Sequence, residues 1–198
     1  MLAGANMAAA ETRILVFGDS LVAGYRLPLD QSFPAQLERK LKADGHDVKV
    51  INAGVSGDTT SGGLSRLEWT LKDKPDVAIL ELGANDMLRA IDPAVTRGNL
   101  DQMLAIFKKN DIPVLLTGMK PFRNLGTDFA DSYDRMFKDL STKYDVIFYP
   151  FFLDGVTFDA KLNLDDGLHP NEKGIAAIVN NIYDEVLELL DKQDKKVK

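Results

Sequence analysis

Apolar positions along the chain fall into two alternating patterns. Short runs at Ile14–Phe17, Val48–Ile51, Val77–Leu82, Val114–Thr117 and Val146–Tyr149 are rich in Val, Ile and Leu, and each is bounded by Gly, Pro, Asn or Asp. Apolar runs of this length without strict alternation predict parallel strands buried on both faces. Between them the spacing changes to a helical period. Ser32–Asp44 sets Phe33, Leu37 and Leu41 four apart and stops at Gly45, a suitable residue just past a helix end. Leu64, Leu67 and Leu71 mark a second helix, Leu100, Leu104 and Phe107 a third, and Tyr133, Met136, Phe137 and Leu140 a fourth. A last helix over Asn171–Asp191 carries Ile175, Ile178, Val179, Ile182, Val186 and Leu190 on one side.

Strands alternating with helices predict an α/β fold: an open five-stranded parallel sheet covered on both faces. No linker, repeat or low-complexity stretch divides the chain, so residues 11–191 read as one domain. In such sheets ligands bind beyond the C-terminal ends of the strands, near the point where strand order reverses. Function is therefore sought in the loops that follow each strand.

The 198 residues carry 24 Lys+Arg against 30 Asp+Glu, a net charge of −6 without a basic cluster, which argues against nucleic acid as a partner. No apolar run approaches the roughly 20 residues of a membrane span, so stable membrane insertion is not expected. The absence of cysteine excludes thiol catalysis, disulfides and Cys-ligated zinc. Met1–Ala10 (MLAGANMAAA) ends in small residues like the cleavage region of a secretory signal, but lacks the basic start and full apolar stretch. It reads as a signal-peptide remnant or an added leader, and the first of these points to a periplasmic or secreted protein. The charged segment 192–198 reads as a solvated tail or helix end.

The strand-end loops hold the chemistry. Gly18-Asp19-Ser20-Leu21 follows the first strand, and Asn52–Thr59, with Gly54 and Gly57, follows the second. Gly83-Ala84-Asn85-Asp86 follows the third, and Asp165-Asp166-Gly167-Leu168-His169-Pro170 lies beyond the fifth. A serine hydroxyl becomes nucleophilic only when a base near neutrality takes its proton, which favours histidine. That histidine needs a carboxylate on its other nitrogen, and the tetrahedral oxyanion needs N–H donors. Asp166 lies three positions before His169, within reach of the imidazole edge. Ser20, Asp166 and His169, with donors from Ser20, Asn85 and Gly57 or Gly54, form one complete set for acyl transfer.

Taken singly, each feature has a plainer reading. Gly-Asp-Ser can be an ordinary turn, Asn85-Asp86 a helix start, His169 a loop-to-helix junction, and the glycines positions of positive φ. Their shared placement after strands of one sheet favours the chemical reading. His46, in the polar turn Asp44-Gly45-His46-Asp47, has no such company. A nucleotide-binding module would need G-x-x-x-x-G-K-[ST] or G-x-G-x-x-G, and neither occurs. A metal hydrolase would draw on Asp19, Asp58, Asp86, Asp165, Asp166 and His169, but paired-aspartate spacing and His-rich motifs are missing.

The same four blocks, in order, resemble those of the GDSL, or SGNH, hydrolases. The strings Gly18–Arg26 (GDSLVAGYR) and Asp165–Asn171 (DDGLHPN) are similar to one bacterial branch of secreted multifunctional esterases, thioesterases, arylesterases and lysophospholipases, and the likeness spans Arg13 to Leu190. The resemblance implies a three-layer α/β/α flavodoxin-like fold and hydrolysis of esters and thioesters without metal or cofactor. It implies Ser20 as nucleophile, His169 as base and Asp166 as its orienting acid. The Ser20 amide, the Gly57 amide and the Asn85 side chain are implied as oxyanion donors, Gly57 being the glycine before the Asp-Thr pair.

The branch resemblance further suggests an acyl groove. Met87 and Leu88 open a loop over it, and Met119-Lys120-Pro121-Phe122 forms another wall. Phe151, Phe152, Val156 and Phe158 lie on the approach to the Asp-His block. Short- to medium-chain acyl esters, aryl esters and acyl thioesters are the expected substrates, passing through an acyl-Ser20 intermediate. Carbohydrate O-deacetylation with the same catalytic set is the alternative.

Overall fold

A computed structural model describes residues 11–121 and 125–197. Met1–Ala10, on which the leader expectation falls, and Phe122, one of the expected groove residues, lie outside the described residues.

Five strands form one parallel sheet: β1 (Thr12–Gly18), β2 (Val48–Gly54), β3 (Val77–Glu81), β4 (Val114–Thr117) and β5 (Ile147–Tyr149), in the order β2-β1-β3-β4-β5. Ile14, Leu15, Val16, Phe17, Ile79, Leu80, Leu115 and Leu116 are fully buried. This is why the central strands read as continuous apolar runs: both faces are covered, so no position turns to water. On one side α2 (Phe33–Ala43), α7 (Glu172–Asn181) and α8 (Tyr183–Val197) pack together and against the sheet. A second set, α3 (Thr60–Thr70), α5 (Pro93–Lys109) and α6 (Thr127–Tyr144), packs in sequence, and α6 covers β4 and β5. The result is the three-layer, flavodoxin-like α/β/α arrangement.

Local chemistry sets the helix ends. Pro34 occupies the first turn of α2, whose end at Asp44 is followed by Gly45 at φ +91°. Asp92 caps α5 by accepting from the Ala94 N–H at 2.8 Å, with Pro93 in the first helical position where its missing N–H costs nothing. Asn171 caps α7 through the N–H groups of Lys173 and Gly174. The continuous helix expected over Asn171–Asp191 is instead two, broken at Ile182. Neither Gly nor Pro marks the break, and Ile182 remains buried, so the apolar period runs through it unchanged. Segment 192–197 continues α8 as a helix end.

From β1 the chain crosses to β2 at one edge and then returns to the other side of β1 as β3. The carboxyl ends of β1 and β3 therefore flank the switch point, where a crevice opens. Two short helices start there: α1 (Ser20–Ala23) after β1 and α4 (Ala84–Leu88) after β3.

Candidate active site

β1 ends at Gly18, and the Asp19 side chain caps α1 by accepting from the Leu21 N–H at 3.0 Å. Ser20 is thereby set in the first turn, mostly buried, with its hydroxyl on the crevice. The Ser20 Oγ lies 2.9 Å from Nε2 of His169, and His169 Nδ1 lies 2.9 Å from Oδ2 of Asp166. The other Asp166 oxygen accepts from the N–H groups of Leu168 and His169 at 2.9 and 3.0 Å. Gly167, at φ +68°, lets the chain turn within this loop. Burial alone works to raise the Asp166 carboxyl, but those two N–H groups and the imidazole outweigh it and hold it at about 2. A carboxylate that stays charged can orient the imidazole and stabilise its protonated form.

Asn85 stands in α4 and donates from Nδ2 to Asp19 Oδ2 at 2.9 Å. A primary amide has two N–H bonds, so one donor remains for a substrate oxygen. The neighbouring Asp86 is fully buried and accepts from Thr60 N at 2.8 Å and from the hydroxyls of Thr60 and Thr96. Tyr133 ties down Gly83 O at 3.1 Å. Asn85 is thus mounted on a turn pinned to α3, α5 and α6.

The two glycines of the β2 loop differ in role. A Cβ on Gly54 would lie 2.2 Å from the Ala23 backbone nitrogen, so Gly54 is required by the close approach of α1. Gly57 is exposed at φ +82° and gives its carbonyl to Arg89 Nη2 at 2.8 Å. Arg66 braces the same loop. It pairs with Asp58 at 2.7 Å, donates to Ala53 O and Gly18 O, and lies 3.9 Å from the Phe17 ring centroid.

A cleft of about 110 Å³ opens beside the serine, lined by Ser20, Asn85, Met87, Leu88, Phe158 and His169 of the expected residues. Met119, Lys120 and Phe151 join them, together with Leu153 and Leu168, which the sequence reading did not single out. Gly57 and Pro121 do not line it; Pro121 is half-buried. Phe152 and Val156 face inward and are fully buried, Phe152 with its ring edge-on to Phe33. Their apolar character serves the core, where a phenylalanine and a valine are ordinary.

Tyr25 was also missed. Gly24, at φ +80°, reverses the chain after α1 and lays the Tyr25 ring 4.4 Å from the imidazole of His169. Among the described residues no group of three or more His, Asp or Glu is placed to hold a metal ion. No helix there is long and apolar enough to cross a membrane.

Comparison with known proteins supplies the family. The chain is 37% identical over 182 residues to an arylesterase of Vibrio mimicus, covering 91% of each. It is 36% identical over 165 residues to thioesterase 1/protease 1/lysophospholipase L1 of Escherichia coli K12, covering 83% of this chain and 78% of the relative. The crystal structure of TesA superposes with a TM-score of 0.85 at 33% identity, over 90% of this chain and 99% of that one. Residues 16–177 match the model of the GDSL-like lipase/acylhydrolase family, and the chain belongs to that family.

Proposed function

We propose that this ester hydrolase works through Ser20, His169 and Asp166 by a covalent acyl-serine route. One observation carries the reading: an unbroken line of hydrogen-bond contacts from Ser20 Oγ through the imidazole to Asp166, each 2.9 Å long, at the mouth of an apolar cleft. Ser20 Oγ attacks the acyl carbonyl while His169 Nε2 takes its proton. Asp166 stabilises the imidazolium and keeps Nδ1 protonated. Collapse of the tetrahedral intermediate breaks the bond to the leaving oxygen or sulfur, which receives the proton from Nε2. Water, deprotonated by the same nitrogen, then attacks the acyl-serine, and the hydroxyl of Ser20 is restored. The free N–H of Asn85 and the amides of Ser20 and Gly57 are the donors assigned to the oxyanion.

Met87, Leu88, Met119, Phe151 and Phe158 give the acyl chain an apolar wall, and the flexible methionines suit more than one chain shape. Short- to medium-chain esters, aryl esters and acyl thioesters are the proposed substrates, in line with relatives named arylesterase and thioesterase. So apolar a lining gives sugar hydroxyls few partners, which disfavours the O-deacetylase alternative.

The test is intact mass after treatment with a serine-directed fluorophosphonate, alongside hydrolysis of p-nitrophenyl butyrate. One adduct on the wild-type chain, with neither adduct nor turnover in Ser20→Ala, is expected. Wild-type rates in Ser20→Ala would refute the assignment.

A further inference from the structure

Glu81 is the last residue of β3 and is fully buried directly beneath the Ser20 turn. Its Oε2 accepts from the Asp19 N–H at 3.2 Å. Its Oε1 has no hydrogen-bond partner, alone among buried side-chain polar atoms of the described residues. A carboxylate offers about four acceptor sites, and burying one with a single donor is severely unfavourable. A neutral carboxylic acid tolerates the same surroundings far better. Asp19, also fully buried, is better supplied, since it accepts from both Leu21 N and Asn85 Nδ2.

We infer that Glu81 is a positioning residue for the hydrolysis proposed above, acting as a neutral carboxylic acid that fixes Asp19 and, through it, both Asn85 and the Ser20 turn. The Asp19 and Glu81 carboxyls also interact side chain to side chain, and two buried carboxyls so placed resist ionising together, so the pair shares one negative charge. The donors around each decide where it resides: on Asp19, with the proton on Glu81. Burial first, and then the Asp19 charge, push Glu81 well above the ordinary carboxylate range. Burial pushes Asp19 up to about 6, opposed by its bonds to Leu21, Glu81 and Asn85.

The backbone makes room for this acid. A Cβ on Gly18 would lie 2.6 Å from Glu81 Oε2 and 2.6 Å from its carbonyl oxygen. Val22 Cγ2, at 2.5 Å, closes the same space, so glycine at that position leaves room for the Glu81 carboxyl and backbone together with Val22. The consequence for chemistry is directional. Asp19 occupies one N–H of Asn85, which determines where the other points, and an oxyanion donor is effective only when aimed beforehand. Asp19 is itself held at its backbone by Glu81, and Ser20 is the next residue.

The inference rests on Ser20 as nucleophile, and its test separates the two claims. Steady-state hydrolysis of p-nitrophenyl butyrate is measured for wild type, Glu81→Gln and Glu81→Leu, with Ser20→Ala alongside and thermal melting as the check on folding. Glutamine keeps an acceptor for the Asp19 N–H and a donor for its carboxylate, so kcat within about threefold of wild type is expected. Glu81→Leu is expected to lose roughly 10- to 100-fold in kcat, with KM within about twofold, because a donor is misaimed rather than a binding surface removed. Wild-type kcat in Glu81→Leu, a loss confined to KM, or Glu81→Gln as slow as Glu81→Leu would overturn the proposal. The infrared difference between wild type and Glu81→Gln at pH 7 decides it even if Glu81→Leu does not fold. The carbonyl band of a buried protonated acid is expected, and its absence overturns the inference. Turnover surviving in Ser20→Ala would instead refute the nucleophile and leave the infrared result standing.

Discussion

The ring of Tyr25 lies against the imidazole of His169, with centroids 4.4 Å apart and planes inclined at 39°. The imidazole is thus held at Nδ1 by Asp166 and across its face by an aromatic ring. An aromatic pair contributes about 0.5–1.5 kcal/mol beyond buried area. Tyr25→Leu is therefore expected to lower kcat roughly threefold to tenfold, and Tyr25→Phe to leave it unchanged. Steady-state kinetics on an aryl ester checks both, and equal loss in the two variants would point to the hydroxyl instead.

Asn85→Ala removes a donor without touching Ser20, His169 or Asp166. A fall in kcat on the order of 10²–10³ is expected. Asp19 would lose one of its donors in the same variant, so a modest drop in melting temperature should accompany it. An unchanged kcat would reduce Asn85 to a structural partner of Asp19.

Two sets of carboxyls give stability opposite dependences on pH. Asp166 is held at about 2, below its ordinary 3.8, so its contribution is complete above about pH 4 and is lost as pH falls toward 2. Asp19 and Glu81 are raised, so between about pH 4 and beyond 6 the folded chain binds more protons than the unfolded one, and stability declines as pH rises. Glu81→Gln removes much of that excess. Its melting temperature relative to wild type is expected to climb between pH 4.5 and 8, and a constant difference would show that Glu81 titrates normally.

Gly18→Ala tests the space beneath β1. The added methyl would meet Val22 Cγ2 at 2.5 Å as well as the Glu81 oxygens, in a region too tightly packed to yield. Overpacking of this kind costs about 1–3 kcal/mol. An unfolding free energy lowered by that amount in chemical denaturation, with activity reduced in the folded protein, is the expected result.

Arg66→Met would remove a guanidinium that joins Asp58, Ala53 and Gly18 at the sheet end. Hydrogen bonds to charged groups contribute about 1.5–3 kcal/mol, so destabilisation of about 2 kcal/mol is expected by denaturation. Stability within about 0.5 kcal/mol of wild type would show the brace to be idle.

The strands were legible because the sheet is covered on both faces, so burial writes itself as unbroken Val, Ile and Leu. Ser20, Asn85, Asp166 and His169 were legible for a related reason: each follows a strand and carries chemistry that a turn alone does not need. Glu81 was readable in principle as one acid inside the apolar run Val77–Leu82, but its partner Asp19 is 62 positions away. Tyr25 meets His169 only through the crossovers, and although Asp58 lies eight positions before Arg66, the Gly18 carbonyl that Arg66 also holds is 48 positions away. Pro121 follows β4 closely but does not line the cleft. Phe152 and Val156 take the packing role, which sequence alone leaves open because an apolar residue looks the same whether it faces a groove or the core.

Ser20 and His169 are 149 positions apart, at opposite ends of the described chain, yet their side chains touch. Ser20 leaves β1, while His169 arrives only after β5 and the long loop that precedes α7. A nascent or partly folded chain therefore carries a serine with no base. On the proposed chemistry, chain connectivity itself delays hydrolysis, and the first turnover would report that the last crossover has docked.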